Sequence, residues 1–193
     1  GLMEEAVKEY ETAVELEPGK LNARNNLGLA YYASGAHAEA LKQLLASDAT
    51  AAAALPFVAR WDLASRVGDA PKAAGAKAEA RLADKSLSDD VRGQLAVNLL
   101  GVKALDPSIV PAVAGLVGGD ASPILQRRVI DALGTTGDAA AGQAMLATLP
   151  QLSFDLREAT FGQLLKRADW SGAVVQALAD RKLDPTLLGP SNL

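Results

Sequence analysis

One histidine, His37, and no cysteine occur among the 193 residues, and this removes most nucleophilic chemistry from the chain. The sequence offers no Ser–His or Cys–His pair for acyl transfer. Without thiols there is no disulfide, no thiolate catalyst and no thiolate metal site. Asp89 and Asp90 follow Ser88 and read as the first turn of a helix, where the positive end of the macrodipole favours carboxylates. The Gly118–Gly119 pair lacks a lysine and a Ser/Thr at phosphate-loop spacing, so it reads as a turn. The expectation is a non-catalytic chain that needs no metal and no cofactor.

What remains is polar chemistry suited to binding. Asn22, Asn26, Leu29 and Ala33 recur at helical spacing and fall on one helix face. An amide donates and accepts at once, so an asparagine there can hold an extended main chain without demanding a particular sequence; it can equally be solvated or support a turn. Arg127, Arg128, Arg157, Lys166 and Arg167 form a second candidate group. They either contact an acidic ligand or pair with Asp131, Asp155, Glu158 and Asp169. Trp61 and Trp170 have mostly apolar neighbours and read as core or inter-repeat packing, with partner binding the alternative.

The elements that carry these residues come from an internal echo. Gly1, Ala6 and Tyr10 recur 34 residues later as Gly35, Ala40 and Leu44, with small residues falling on small ones. A period of this size marks stacked helical hairpins, each unable to bury its apolar face alone. Gly28, Ala30 and Ala40 remove bulk where two helices cross, so their axes can approach to ~8–10 Å. Leu27, Tyr31 and Leu44 are expected to fill the space around that crossing. A degenerate third copy follows, with Gly68 and Ala73 answering Gly35 and Ala40 and a first helix predicted from Pro56 to Val67. Gly1 stands in the place of a turn glycine and LLGPSNL contains no polar capping helix, so the sequence reads as part of something longer.

Beyond Ser86 the pattern changes. SDDVRGQLAVNLLG, SPILQRRVIDALGTTGD and SFDLREATFGQLLKRAD each open with a serine placed to cap a helix. Aligning Val91, Leu125 and Leu156 brings Leu95, Val129 and Thr160 into register four residues on, and Leu99, Leu133 and Leu164 eight residues on. That is one helix face drawn three times, and the short apolar stretches between are its partner helices. The hairpins are predicted over 86–118, 122–150 and 153–181.

Leu27, Gly28, Ala30, Tyr31, the turn glycine Gly35, Ala40, Leu44 and the LEPG stop at Leu16 to Gly19 together resemble a tetratricopeptide repeat. The likeness covers Gly1 to Ser47 and continues in degenerate form to Lys85. It implies a concave groove lined by the first helix of each pair. It also places Asn26 where some family members hold a peptide backbone, and His37 where an aromatic ring commonly packs. Arg24 is expected on another side of that helix, leaving the lysine and arginine partners of the carboxylate-clamp subclass unseen. The second array resembles HEAT repeats, with Asp131 to Leu146 similar to degenerate units of that family. Leu156 to Leu188 is similar to the HEAT segment of large exported bacterial proteins that join a dehydrogenase region to a haem-binding cytochrome domain. Arg157, Leu164, Leu165, Arg167, Trp170, Ala177 and Leu178 carry this last likeness, which implies an exported, periplasmic bacterial parent with its haem motif beyond Leu193.

Composition fits one helical body: 49% hydrophobic residues with 4% aromatic means a core of Ala, Leu and Val. No run approaches the ~20 apolar residues that span a bilayer. The net charge is −4, and residues 1–20 account for all of it, with six glutamates against Lys8 and Lys20. This acidic stretch reads as a solvated helix face or as a patch for a basic partner. A nucleic-acid binder would instead show a basic stripe. The expected fold is therefore all-α, an α-solenoid of stacked antiparallel helix pairs forming a right-handed superhelix. It is TPR-like over 1–85 and HEAT-like over 86–193, packed continuously. The expected function is a protein–protein interaction scaffold that binds a peptide or partner domain, as a monomer or as part of a larger chain, through Asn22, Asn26 and Leu29 or through Arg127, Arg128 and Arg157. A spacer module of an exported redox protein and an engineered or fragmentary sequence with no ligand are the alternatives.

Overall fold

A computed structural model describes residues 2–17, 21–33 and 35–188. The described residues form eleven α-helices, two short 3-10 turns and no strand, so the fold is all-α as expected. In chain order the helices are α1 (Leu2–Leu16), α2 (Leu21–Ala33), α3 (His37–Ala46), α4 (Ala51–Arg60), α5 (Ala70–Ala83), α6 (Asp89–Leu100), α7 (Ile109–Ala114), α8 (Pro123–Thr136), α9 (Ala139–Thr148), α10 (Phe154–Leu164) and α11 (Ala168–Ala179). They divide into two compact units, one of residues 1–80 with 104–106 and one of residues 81–103 with 107–193.

In the first unit α1 packs along α2, α2 along α3 and α3 along α4. The core is Leu27, Leu41, Leu55 and Val58, set among the buried alanines Ala23, Ala30, Ala38 and Ala40. Leu41 and Leu45 fill the inside of α3, whereas Leu44, predicted to do so, is only half-buried. Gly28 sits against α3 as its spacing predicts: a Cβ placed there would lie 3.6 Å from Leu44 Cδ2 and 3.8 Å from the Ala40 carbonyl oxygen. Gly35 (φ +79°) and Gly68 (φ +61°) both adopt the left-handed conformation, the turn geometry that glycine reaches without steric cost.

The third copy departs from prediction. Its first helix is Ala51–Arg60, not Pro56 to Val67, because the alanines Ala51 to Ala54 extend it backwards. Pro56 is held inside the helix and simply omits one backbone donor. The helix ends at Arg60 with Trp61 as its C-cap, and Asp62 turns left-handed with φ 51°. Ala73 is exposed where Ala40 is buried; Ala74 and Ala78 take the buried positions on α5. No extended packing joins α4 to α5, so a true hairpin is lost here.

The second unit keeps the predicted hairpins. First helices α6, α8 and α10 pack side by side in one layer, and second helices α7, α9 and α11 form the other. On the predicted face, Leu95, Leu99, Leu125, Val129, Leu133, Leu156, Thr160 and Leu164 are all buried. Thr160 satisfies its hydroxyl by donating to the Leu156 carbonyl at 2.7 Å. Val91, on the outermost first helix of this unit, stays 37% exposed. Ser88 Oγ accepts from Val91 N at 3.4 Å and Ser122 Oγ from Leu125 N at 3.1 Å, whereas Ser153 occupies its cap position without a side-chain bond. Gly137 (φ +63°) ends α8, and the Asp138 carboxylate then caps α9 by accepting from Ala140 N at 2.9 Å.

Glycines set the seams between these hairpins. Arg128 lies across Gly93, Gln163 across Gly134, and the Trp170 ring across Gly142, each side chain reaching back from the next hairpin. Trp170 is 3% exposed, which places it in the core as predicted.

Candidate functional site

Large apolar side chains normally point inward, so an exposed set with a shaped floor marks a surface of interest. The first unit has one. Leu29 (66% exposed) and Tyr32 (54%) stand three residues apart on α2, and Phe57 (38%) stands four residues before Trp61 on α4. Trp61 joins them: its ring centroid lies 5.1 Å from Phe57, 5.6 Å from His37 and 5.9 Å from Tyr32. Tyr32 and His37 are themselves 5.0 Å apart. All four spacings fall in the range of favourable tilted aromatic pairs. Tyr32, Phe57 and Trp61 flank, with Leu29, a groove of about 540 Å³ whose base is Gly28, Ala40 and Leu44. The floor is low because two of those three residues carry little or no side chain.

The helix that carries this groove is tied to its neighbour. Tyr31 points away towards α1 and donates a hydrogen bond to the Glu11 carboxylate. Burial, helped by that bond and by the Glu11 charge, pushes the Tyr31 hydroxyl up to about 12. Leu27 on the inner side of α2 is buried, so α2 is anchored on two sides and presents a third.

The sequence-predicted residues separate into two groups. Asn22, Asn26, Leu29 and Ala33 are all exposed on α2, and of these Leu29 lines the groove. The Arg24 side chain lies outside the described residues. His37 packs as an aromatic partner, though at the surface, and Trp61 is half-buried where it bridges α4 to α2 and α3. Tyr32 and Phe57 were missed by sequence reasoning. The i,i+3 spacing of Leu29 with Tyr32 and the i,i+4 spacing of Phe57 with Trp61 were the available signals.

The basic residues of the second unit are largely occupied within the fold. Arg127 Nε meets Asp131 at 3.3 Å, and Arg128 Nη1 meets Asp90 at 2.5 Å, a partner from the preceding hairpin. Lys166 donates to Gln163 Oε1 at 2.8 Å. Arg167 pairs with Asp169 at 3.6 Å and stacks 5.4 Å above the Trp170 ring. Arg157 is half-buried with its Nε unpartnered. Between α6 and α8 a groove of about 560 Å³ includes Val97, Leu100, Arg128, Asp131 and Thr135. Its charges are already paired, so it has little to offer a charged ligand.

A family model for the TPR repeat matches residues 1–35. No curated protein and no solved structure matches the chain. The match spans α1 and α2 and so includes Leu29 and Tyr32, while Ala40, Leu44, Phe57 and Trp61 lie beyond it. TPR repeats generally mediate protein–protein interaction. Among the described residues no helix is long and apolar enough to cross a membrane, and no three His, Asp or Glu side chains gather as a metal site would need.

Proposed function

We propose that this chain is a non-catalytic interaction scaffold whose TPR-like unit binds a segment of a partner protein in the groove between α2, α3 and α4. The observation that carries this is the exposed Leu29, Tyr32 and Phe57 and the half-buried Trp61 arranged around the Gly28 and Ala40 floor. Aromatic side chains bury large area with few rotatable bonds, which is why they dominate binding surfaces. Asn26, exposed three residues before Leu29 on α2, is read as bonding the main chain of an occupant. The second unit, with its paired charges and interlocked hairpins, is a HEAT-like extension that supports rather than recognises. Its three two-layered hairpins support that reading.

The test is a pull-down from the native host with wild-type chain and Leu29→Ser, Asn26→Ala and Arg127→Ala variants, each checked for unchanged far-UV circular dichroism. Loss of a partner with the first two and retention with Arg127→Ala is expected. Equal capture by wild type and Leu29→Ser argues that the groove is not the binding surface. A fall in thermal stability on Asn26→Ala comparable to a core deletion assigns Asn26 to the fold instead.

A further inference from the structure

We infer that the occupant of this groove is a basic segment carrying one bulky apolar anchor. The inference rests on the groove being the binding site and adds the chemistry of what it takes. The lining side chains are apolar except for the Tyr32 hydroxyl and the Trp61 indole N–H. None is basic, so nothing in the lining can neutralise a carboxylate or a phosphate. The groove of about 540 Å³ above Gly28 and Ala40 has room for an aliphatic or aromatic side chain, whose burial contributes ~1.5–3 kcal/mol. Tyr32, 54% exposed at the groove, offers an electron-rich ring that attracts a lysine or arginine beside that anchor.

The charge of the unit as a whole points the same way. The first unit holds twelve Asp and Glu against eight Lys and Arg, a balance of −4, whereas the second unit holds eleven of each. Much of the excess is on α1, with Glu5, Glu9, Glu11 and Glu15, and α1 packs along α2, the helix that bears Leu29 and Tyr32. Two of the unit's lysines already face acids: Lys77 meets Asp48 at 2.8 Å and Lys42 lies 3.9 Å from Glu39. A cationic segment is therefore drawn towards this unit and an anionic one repelled. The rings pack against each other at 5.0–5.9 Å, so a bare cation has no room between them, and the apolar anchor has to supply the docking.

The test is fluorescence anisotropy of the intact chain with three labelled synthetic peptides: Lys-Lys-Ala-Phe-Lys-Lys, the same peptide with Phe replaced by Ala, and Glu-Glu-Ala-Phe-Glu-Glu. The basic Phe peptide should bind at least about tenfold more tightly than either other, a ~1.4 kcal/mol difference. Its affinity should fall with added salt and with Leu29→Ser or Tyr32→Ala, both exposed positions whose replacement leaves the core untouched. Equal binding of the two basic peptides overturns the inference, since charge alone then accounts for association. If the acidic Phe peptide binds as tightly and Leu29→Ser weakens it, the basic-partner inference fails while the groove reading survives. Binding indifferent to both Leu29→Ser and Tyr32→Ala overturns the two together.

Discussion

Replacing Gly142 with alanine tests whether the second unit is held in register by side chains seated on glycines. A Cβ built on Gly142 lies 2.5 Å from Trp170 Cδ1, 2.6 Å from Nε1 and 2.8 Å from Cγ. Ordinary carbon contacts sit at ~3.5–4.0 Å, so the indole must retreat by about an ångström. It has nowhere easy to go, because the ring is rigid and only 3% exposed. Overpacking of this kind costs ~1–3 kcal/mol, offset by the ~1 kcal/mol that alanine gains over glycine inside a helix. Gly172, on α11 with open space around it, supplies the reference, since there the helix gain acts alone. The expected result is a Gly172→Ala variant more stable than wild type by ~0.5–1 kcal/mol and a Gly142→Ala variant lower than Gly172→Ala by ~1–3 kcal/mol. In a chain of this length that gap is ~2–12 °C in Tm, readable by circular dichroism. Trp170→Leu should shrink the cost of Gly142→Ala in a double-mutant cycle. Equal stabilisation by Gly142→Ala and Gly172→Ala refutes the reasoning, because the tryptophan would then not be seated on the glycine.

Three further outcomes follow from the same structure. Tyr31 has its ionisation raised from 10.0 to about 12, so its neutral form is the one the fold favours; the stability it contributes is complete below pH 10 and lost as pH rises towards about 12. Urea midpoints across that range should fall for wild type and fall less for Tyr31→Phe. Asp138 is held below the usual carboxylate range, first by the Ala140 N–H and then by Lys103 at 3.1 Å, so its contribution is present above pH ~3.9 and lost as pH falls further, a loss that Asp138→Asn should reduce in acid denaturation. At Gly28 an added Cβ meets Leu44 at an ordinary 3.6 Å, so Gly28→Ala should be tolerated, while Gly28→Leu should cost ~1–3 kcal/mol by thermal unfolding and occupy the floor of the groove.

The second unit was legible because its signals are local and redundant. Leu95, Leu99, Val129 and Leu133 repeat at helical spacing within each first helix, serines mark the starts, and Gly137–Asp138 marks a turn through both a left-handed residue and a cap. In the third copy two local signals conflicted. Pro56 suggests a helix start, but the alanine run before it carries more helix-forming propensity, and the helix begins at Ala51. The groove was legible only through Leu29, because its other walls come from helices that sequence spacing does not relate. Tyr32 and Trp61 meet across 29 positions of chain, and a tryptophan among apolar neighbours reads as interior until packing shows it is not. Arg128 likewise pairs with Asp90, 38 positions away, where sequence reading offered the nearby Asp131. Which carboxylate an arginine finds is decided by how hairpins stack, and no local pattern carries that.

The two units differ in what lies over their helix-crossing glycines, and the contrast locates the binding surface. At Gly93, Gly134 and Gly142 the space beside the backbone is filled from within by Arg128, Gln163 and Trp170, so each gap becomes a seam of the fold. At Gly28 a Cβ would meet Leu44 at an ordinary 3.6 Å, so the crossing itself is closed, and what stays uncovered is the surface above it, where Leu29 and Tyr32 are turned outward. A gap closed by the chain's own residues stabilises the array and leaves nothing for a ligand. Exposed side chains above such a floor keep apolar surface in water, at a standing cost of ~25 cal/mol per Å² that burial by a partner removes. That unspent burial sets the α2–α3–α4 groove apart from the charged groove between α6 and α8, whose Arg128 and Asp131 are already paired with Asp90 and Arg127.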